Sequence, residues 1–164
     1  MSKKQIKILN AILFYTIWWS CIIGIKYSYS YIGPLLAIIA GVVHLNIISE
    51  PQKEIRVIFL CGTLALLIEG FYLHSGFLSY DGYVLFSSSF PPLWIICIWM
   101  TLSATLNHSM FFLKGRWLLM ILCGGFFGPL CYFIAMNSKI LYFNFSIQIS
   151  LLILSVVCGI SLPL

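Results

Sequence analysis

The chain has 164 residues, 62% hydrophobic and only 8% charged, with nine basic and four acidic side chains and a net charge of +5. A soluble domain carries roughly 25% charged residues, so a chain this poor in charge cannot cover its own core and must use lipid as its outer solvent. The basic residues are dispersed at the ends of apolar runs, with no stripe to follow a phosphate backbone, and this argues against a nucleic-acid partner.

Residues 8–25, 27–49, 82–113, 117–138 and 140–164 contain no charge, and 57–80 contains one, Glu69. In lipid only helices and closed barrels satisfy their backbone. Runs such as 35–43 and 151–157 lack the period-two alternation of barrel strands. The expectation is therefore an all-α polytopic membrane protein, one domain over 1–164, with six transmembrane helices.

The first span is read at 8–25, after Lys3, Lys4 and Lys7. Bulky Trp18 and Trp19, with no small-residue cleavage site after them, mark an uncleaved anchor rather than a signal peptide. Gly33-Pro34 opens the second span, 33–49, because proline suits a first helical turn. The polar link 50–54 leads to the third span, 56–74. A longer link with Gly76, Asp81, Gly82 and serines follows. Pro91-Pro92 begins the fourth span, 92–113. Lys114-Gly115-Arg116 turns tightly into the fifth, 117–136, and Asn137-Ser138-Lys139 precedes the sixth, 145–162.

Basic residues favour the cytoplasmic side. With the N-terminus inside, that side holds Lys3, Lys4, Lys7, Lys53, Arg56, Lys114 and Arg116, and the other holds Lys26 and Lys139. Both termini are then expected in the cytoplasm. Tyr27, Tyr29 and Tyr31 would lie at the outer interface. The six cysteines form no Cys-x-x-Cys pair or zinc-ligand spacing, so they are read as packing residues.

Glu69 stands out as an intramembrane acid. Gly62, Ala65, Tyr72 and Gly76 share its helix face, a small-residue surface suited to helix contact, so Glu69 should point into the bundle. It is read either as a proton carrier, cation site or catalytic acid/base, or as an acid hydrogen-bonded to a neighbouring helix. His44 and His108 each lie six residues before a cytoplasmic boundary, whereas His74 lies near the outer end of the third span. That split argues against a three-histidine centre, and no metal or cofactor is expected. Glu69, His74 and Asp81 are the candidate catalytic set.

The fourth span carries Thr101, Ser103, Thr105, Asn107, His108 and Ser109, polar on two faces. It is expected to be central, with Asn107 and His108 meeting His44 or Asn46. Glu69, His44, Thr105, Asn107 and His108 together form the expected polar core or substrate pocket. Gly124-Gly125-Phe126-Phe127-Gly128-Pro129 offers close helix approach and a kink, not a nucleotide loop.

Pro92-x-Trp94, Trp99, Thr105-Leu106-Asn107-His108-Ser109 and Gly128-Pro129-x-x-Tyr132 resemble a family of small bacterial inner-membrane proteins, domain of unknown function 2878. Trp19-x-Cys21-x-x-Gly24, Gly33-Pro34, His44-Leu45 and His74-x-Gly76-x-x-x-Tyr80 extend the similarity over most of the chain. Glu69 stands where the pattern has Asp, and Asn137-Ser138 replaces a turn richer in Gly and Arg. The resemblance implies a multi-pass protein without an established activity and a link to enzymes that modify membrane fatty acids. Three functions follow as expectations. The first is a non-enzymatic component that binds membrane lipids or a lipid-modifying enzyme. The second is a small proton-coupled transporter using Glu69, working as a homo-oligomer. The third is an intramembrane enzyme with a Glu/His site.

Overall fold

Among the described residues, six α-helices form where the charge-poor runs lie. They are α1 (Lys3–Lys26), α2 (Ile32–Ile47), α3 (Pro51–His74), α4 (Leu93–Leu106), α5 (Trp117–Asn137) and α6 (Ile147–Ser161). The structure, a computed structural model, describes residues 3–84 and 89–163, so part of the link before α4, with two of its serines, Ser87 and Ser88, lies outside the described residues. Two short strands, β1 (Leu78–Tyr80) and β2 (Leu141–Phe143), follow α3 and α5. They pair antiparallel, Leu78 opposite Phe143 and Tyr80 opposite Leu141.

Three of the described helices are long and apolar enough to cross a membrane: Lys4–Lys26 of α1, α3 and α5. The others are apolar but shorter, at 16, 14 and 15 residues for α2, α4 and α6. Of the six spans expected, three among the described helices thus reach full membrane-crossing length, and the other three are shorter. The fourth span shows the largest departure, because α4 stops at Leu106 instead of running to 113. Ser and Asn side chains compete with helical backbone bonding, and here they find partners outside the helix. The Ser109 hydroxyl donates to Lys7 O at 2.6 Å and lies 2.9 Å from Asn10 Oδ1. A single 3-10 turn, Phe111–Leu113, completes the segment. At the other end of the expectation, α3 begins at Pro51 rather than at residue 56, with proline in the first turn.

Glycines set the closest helix contacts. A Cβ on Gly33 would lie 2.7 Å from the Cys21 Cα, so α2 can meet α1 only through a bare backbone. Likewise a Cβ on Gly128 would come within 2.7 Å of the Cys158 Sγ, and one on Gly124 would overlap the Cys158 carbonyl. The expected glycine-mediated approach is therefore that of α5 to α6. Pro129 sits inside α5 and has no N–H to give the carbonyl of Gly125, four residues earlier. Ser155 of α6 donates to that carbonyl instead, at 2.7 Å. The helix break is thus repaired by the neighbour it packs against.

The core runs through the bundle from Cys21 and Ile22 of α1 to Trp94 of α4 and Leu154 of α6, closed by Leu78 and Leu141 of the strands. Beyond the strands, Asn144 Nδ2 donates to Gly76 O and Ser79 Oγ, both at 2.9 Å. The Trp94 indole donates to Asp81 O at 2.9 Å. The Gly76 and Asp81 carbonyls at this end of the bundle are thus paired internally. Outward, the helices around α4 present large apolar side chains such as Ile38, Leu60, Leu67, Phe126 and Leu152.

Candidate functional site

Two polar clusters lie toward opposite ends of α3. Glu69 and Glu54 are fifteen positions apart, about 22 Å along the axis, so they form separate centres.

Glu69 is completely buried. It faces the small-residue surface expected of it, with Gly62, Ala65 and Tyr72 also buried on α3. Gly76 is not part of that surface, because α3 ends at His74 and Gly76 turns the chain with φ +69°. The Glu69 carboxyl oxygens accept from the Tyr80 hydroxyl at 2.6 Å, the Trp99 indole at 2.8 Å and the Tyr132 hydroxyl. These donors come from β1, α4 and α5, so a single acid joins three elements to α3. An ionised carboxylate is acceptor-only, and this shell offers donors to both of its oxygens. The neighbouring Tyr72 hydroxyl, by contrast, is buried without a hydrogen-bond partner. A cavity of about 50 Å³ beside the cluster is walled by Trp18, Ile22, Trp94, Trp99 and Tyr132. It is too small and apolar to admit a substrate.

The structure does not gather Glu69, His74 and Asp81. His74 and Asp81 are exposed, whereas Glu69 is sealed behind its donors. Asp81 accepts from the Tyr142 hydroxyl at 2.9 Å, and this hydrogen bond raises the Tyr142 phenol above its ordinary value.

At the other end, His44 of α2, Glu54 of α3 and His108 meet. Each of the three offers a ligand atom within 4.8 Å of the other two. The rings of His44 and His108 stand nearly perpendicular, centroids 4.9 Å apart, so the expected encounter of these two histidines occurs. His44 Nε2 lies 3.3 Å from Glu54 Oε1, and Asn107 donates to Glu54 Oε2 at 3.3 Å. On the far side of the imidazole, Asn10 Nδ2 lies 3.4 Å from His44 Nδ1 and donates to Ala104 O at 3.2 Å. His108 Nε2 is also 3.3 Å from Glu54 Oε1, but off the line of a hydrogen bond, and this buried nitrogen has no hydrogen-bond partner among the described residues.

The local folding explains the convergence. Because α3 starts at Pro51, Glu54 falls in its first turn, where the helix dipole favours an acid, and it is buried rather than sitting in a solvated link. Because α4 ends at Leu106, His108 is free to turn toward α2 and α3. Two sequence expectations do not join this cluster. Asn46 bonds its own helix at Val42 O instead of reaching the histidines. Thr105 is buried, but its hydroxyl donates to Leu102 O. Glu54 and Asn10 were missed by sequence reasoning. The signal for Glu54 was Pro51 three residues before it, which marks a helix start.

Tyr80, Trp99 and Tyr132, the three donors to Glu69, all lie within the motifs that carry the family resemblance, as do His44, Asn107 and His108 of the second cluster. No curated protein and no solved structure matches the chain. A family model described as a protein of unknown function (DUF2878) matches residues 7–164, nearly the whole chain, and the protein therefore belongs to that family.

Proposed function

We propose that the protein is a six-span bacterial inner-membrane protein, both termini cytoplasmic, that binds membrane lipid as a non-enzymatic component of membrane-lipid metabolism. The seven-to-two division of basic residues supports this topology, as do the large apolar side chains that the helices present outward.

One observation carries the lipid assignment. A shallow, mainly apolar groove of about 420 Å³ opens along α1 and the turn into α2, lined by Trp19, Ser20, Ile23, Tyr27, Tyr29 and Ile32. In the proposed topology Tyr27 and Tyr29 sit at headgroup depth, so the groove is an apolar trough that reaches the interface. An apolar trough of this kind suits an acyl chain whose headgroup lies at the depth of the tyrosines. The saturation of Glu69 by three donors weighs against its use as a proton carrier or reacting acid. A lipid-modifying membrane enzyme is the partner class this role would serve.

The test is native mass spectrometry of the protein released from nanodiscs. Wild type is expected to retain phospholipid above an unrelated membrane-protein control. Ser20→Trp, which fills the groove, should lose it. Equal retention by the variant, or none by wild type, refutes the assignment.

A further inference from the structure

We propose that His44, Glu54 and His108 form a binding site for a divalent first-row transition-metal ion, with zinc as the best-fitting ion. The proposal is independent of the lipid groove, which lies on a different part of the surface and shares no residue with it.

The donor set is two imidazoles and one carboxylate. This chemistry suits zinc and its neighbours, and the same set with one position left open recurs in catalytic zinc sites. Calcium and magnesium require shells dominated by oxygen and do not fit. The spacing agrees. Ligands about 2.0–2.1 Å from a tetrahedral ion stand about 3.3–3.4 Å from each other. Glu54 Oε1 is 3.3 Å from His44 Nε2 and 3.3 Å from His108 Nε2, so two edges of the tetrahedron are already in place.

His108 supplies a separate reason. Its Nε2 is buried beside the carboxylate, yet it makes no hydrogen bond. A nitrogen aimed at a point between ligands, rather than along a line to one acceptor, is satisfied by an ion at that point. Asn107 meanwhile holds Glu54 Oε2 and leaves Oε1 toward the histidines. Because the ligands come from α2, the first turn of α3 and the turn after α4, the site is fixed by tertiary packing.

Occupation requires one local adjustment. His44 Nε2 would coordinate the ion, and the ring proton would move to Nδ1, which faces Asn10. A half-turn of the Asn10 carboxamide presents its oxygen as the acceptor, giving up its bonds with Ala104 O and the Ser109 hydroxyl for the outer-shell support that metal-bound histidines use. His44 and Glu54 are buried, and the less buried His108 marks the side from which an ion would enter and where the open coordination position would lie.

The experiment uses the full-length, tag-free protein in detergent, stripped with a chelator and titrated with Zn²⁺ in competition with a chromophoric chelator. Co²⁺ is the spectroscopic probe. One Zn²⁺ per chain is expected, with a tetrahedral visible absorption on adding Co²⁺. His108→Ala and Glu54→Gln should each weaken binding by about tenfold or more, whereas exposed His74→Ala should not. Variants are accepted only if they elute as folded protein, and His108→Gln stands in should His108→Ala fail. Absence of stoichiometric Zn²⁺ binding by wild type overturns the proposal. So does affinity unchanged in the folded His108 variant.

Discussion

Replacing Glu69 with alanine would strand the Tyr80 and Tyr132 hydroxyls and the Trp99 indole N–H in a site closed to solvent. Each buried donor left without an acceptor costs about 1–3 kcal/mol, so the three together cost about 3–9 kcal/mol before the cavity is counted. That is comparable to a typical total stability of about 5–15 kcal/mol. Glu69→Gln is a milder change. The amide oxygen can still receive Trp99 and Tyr132, and the Tyr80 hydroxyl can turn to accept from the amide nitrogen. What is lost is charge assistance, about 1 kcal/mol per bond. Thermal unfolding in detergent, followed by tryptophan fluorescence, should therefore place the glutamine variant below wild type and the alanine variant far below both, close to complete loss of folded protein. Should Glu69→Ala melt with wild type, the acid is not the tie that the geometry describes. Should Glu69→Gln be as damaging as alanine, the charge itself carries a role that three neutral donors do not explain.

Tyr72→Phe removes a buried hydroxyl that has no partner, so the same melt should show unchanged or raised stability. Ser155→Ala should cost about 1–3 kcal/mol by leaving the Gly125 carbonyl unpaired beside Pro129. In a Pro129→Ala background the restored N–H serves that carbonyl, and the cost should shrink to roughly a few tenths of a kcal/mol. A double-mutant cycle with no coupling would refute the repair. Reporter fusions at the two termini should both read cytoplasmic, and opposite sides would remove the six-span topology.

The helices were legible because charge marks where a lipid-embedded chain must surface, and Lys26, Lys53, Lys114 and Lys139 each fall at or near a helix end. The ends themselves were harder to read. Counting from Arg56 placed Glu54 outside the membrane, although Pro51 had already marked the helix start. Counting through the uncharged run 107–113 hid the end of α4, because side-chain bonds to Lys7 and Asn10 decide it and both are distant in sequence. Leu78–Tyr80 and Leu141–Phe143 are too short to show a strand period and find each other only across a long separation in sequence. Of the polar groups, the depth of His44 and His108 predicted their meeting, and the small-residue face of α3 predicted that Glu69 turns inward. The donors around Glu69 and the carboxylate between the histidines could not be read this way, since each pairing depends on how separate elements dock.

The alternation of long and short helices bears on the bilayer itself. At about 1.5 Å per residue, α2, α4 and α6 span only about 21–24 Å, against about 30 Å of hydrocarbon. In the proposed six-span topology, the bilayer around the protein must thin, or the helices must be shielded by their longer neighbours. Thinning would draw headgroups and water toward the turn that carries His108. Performance should then depend on acyl length, with short-chain bilayers accommodating the protein more readily than long-chain ones.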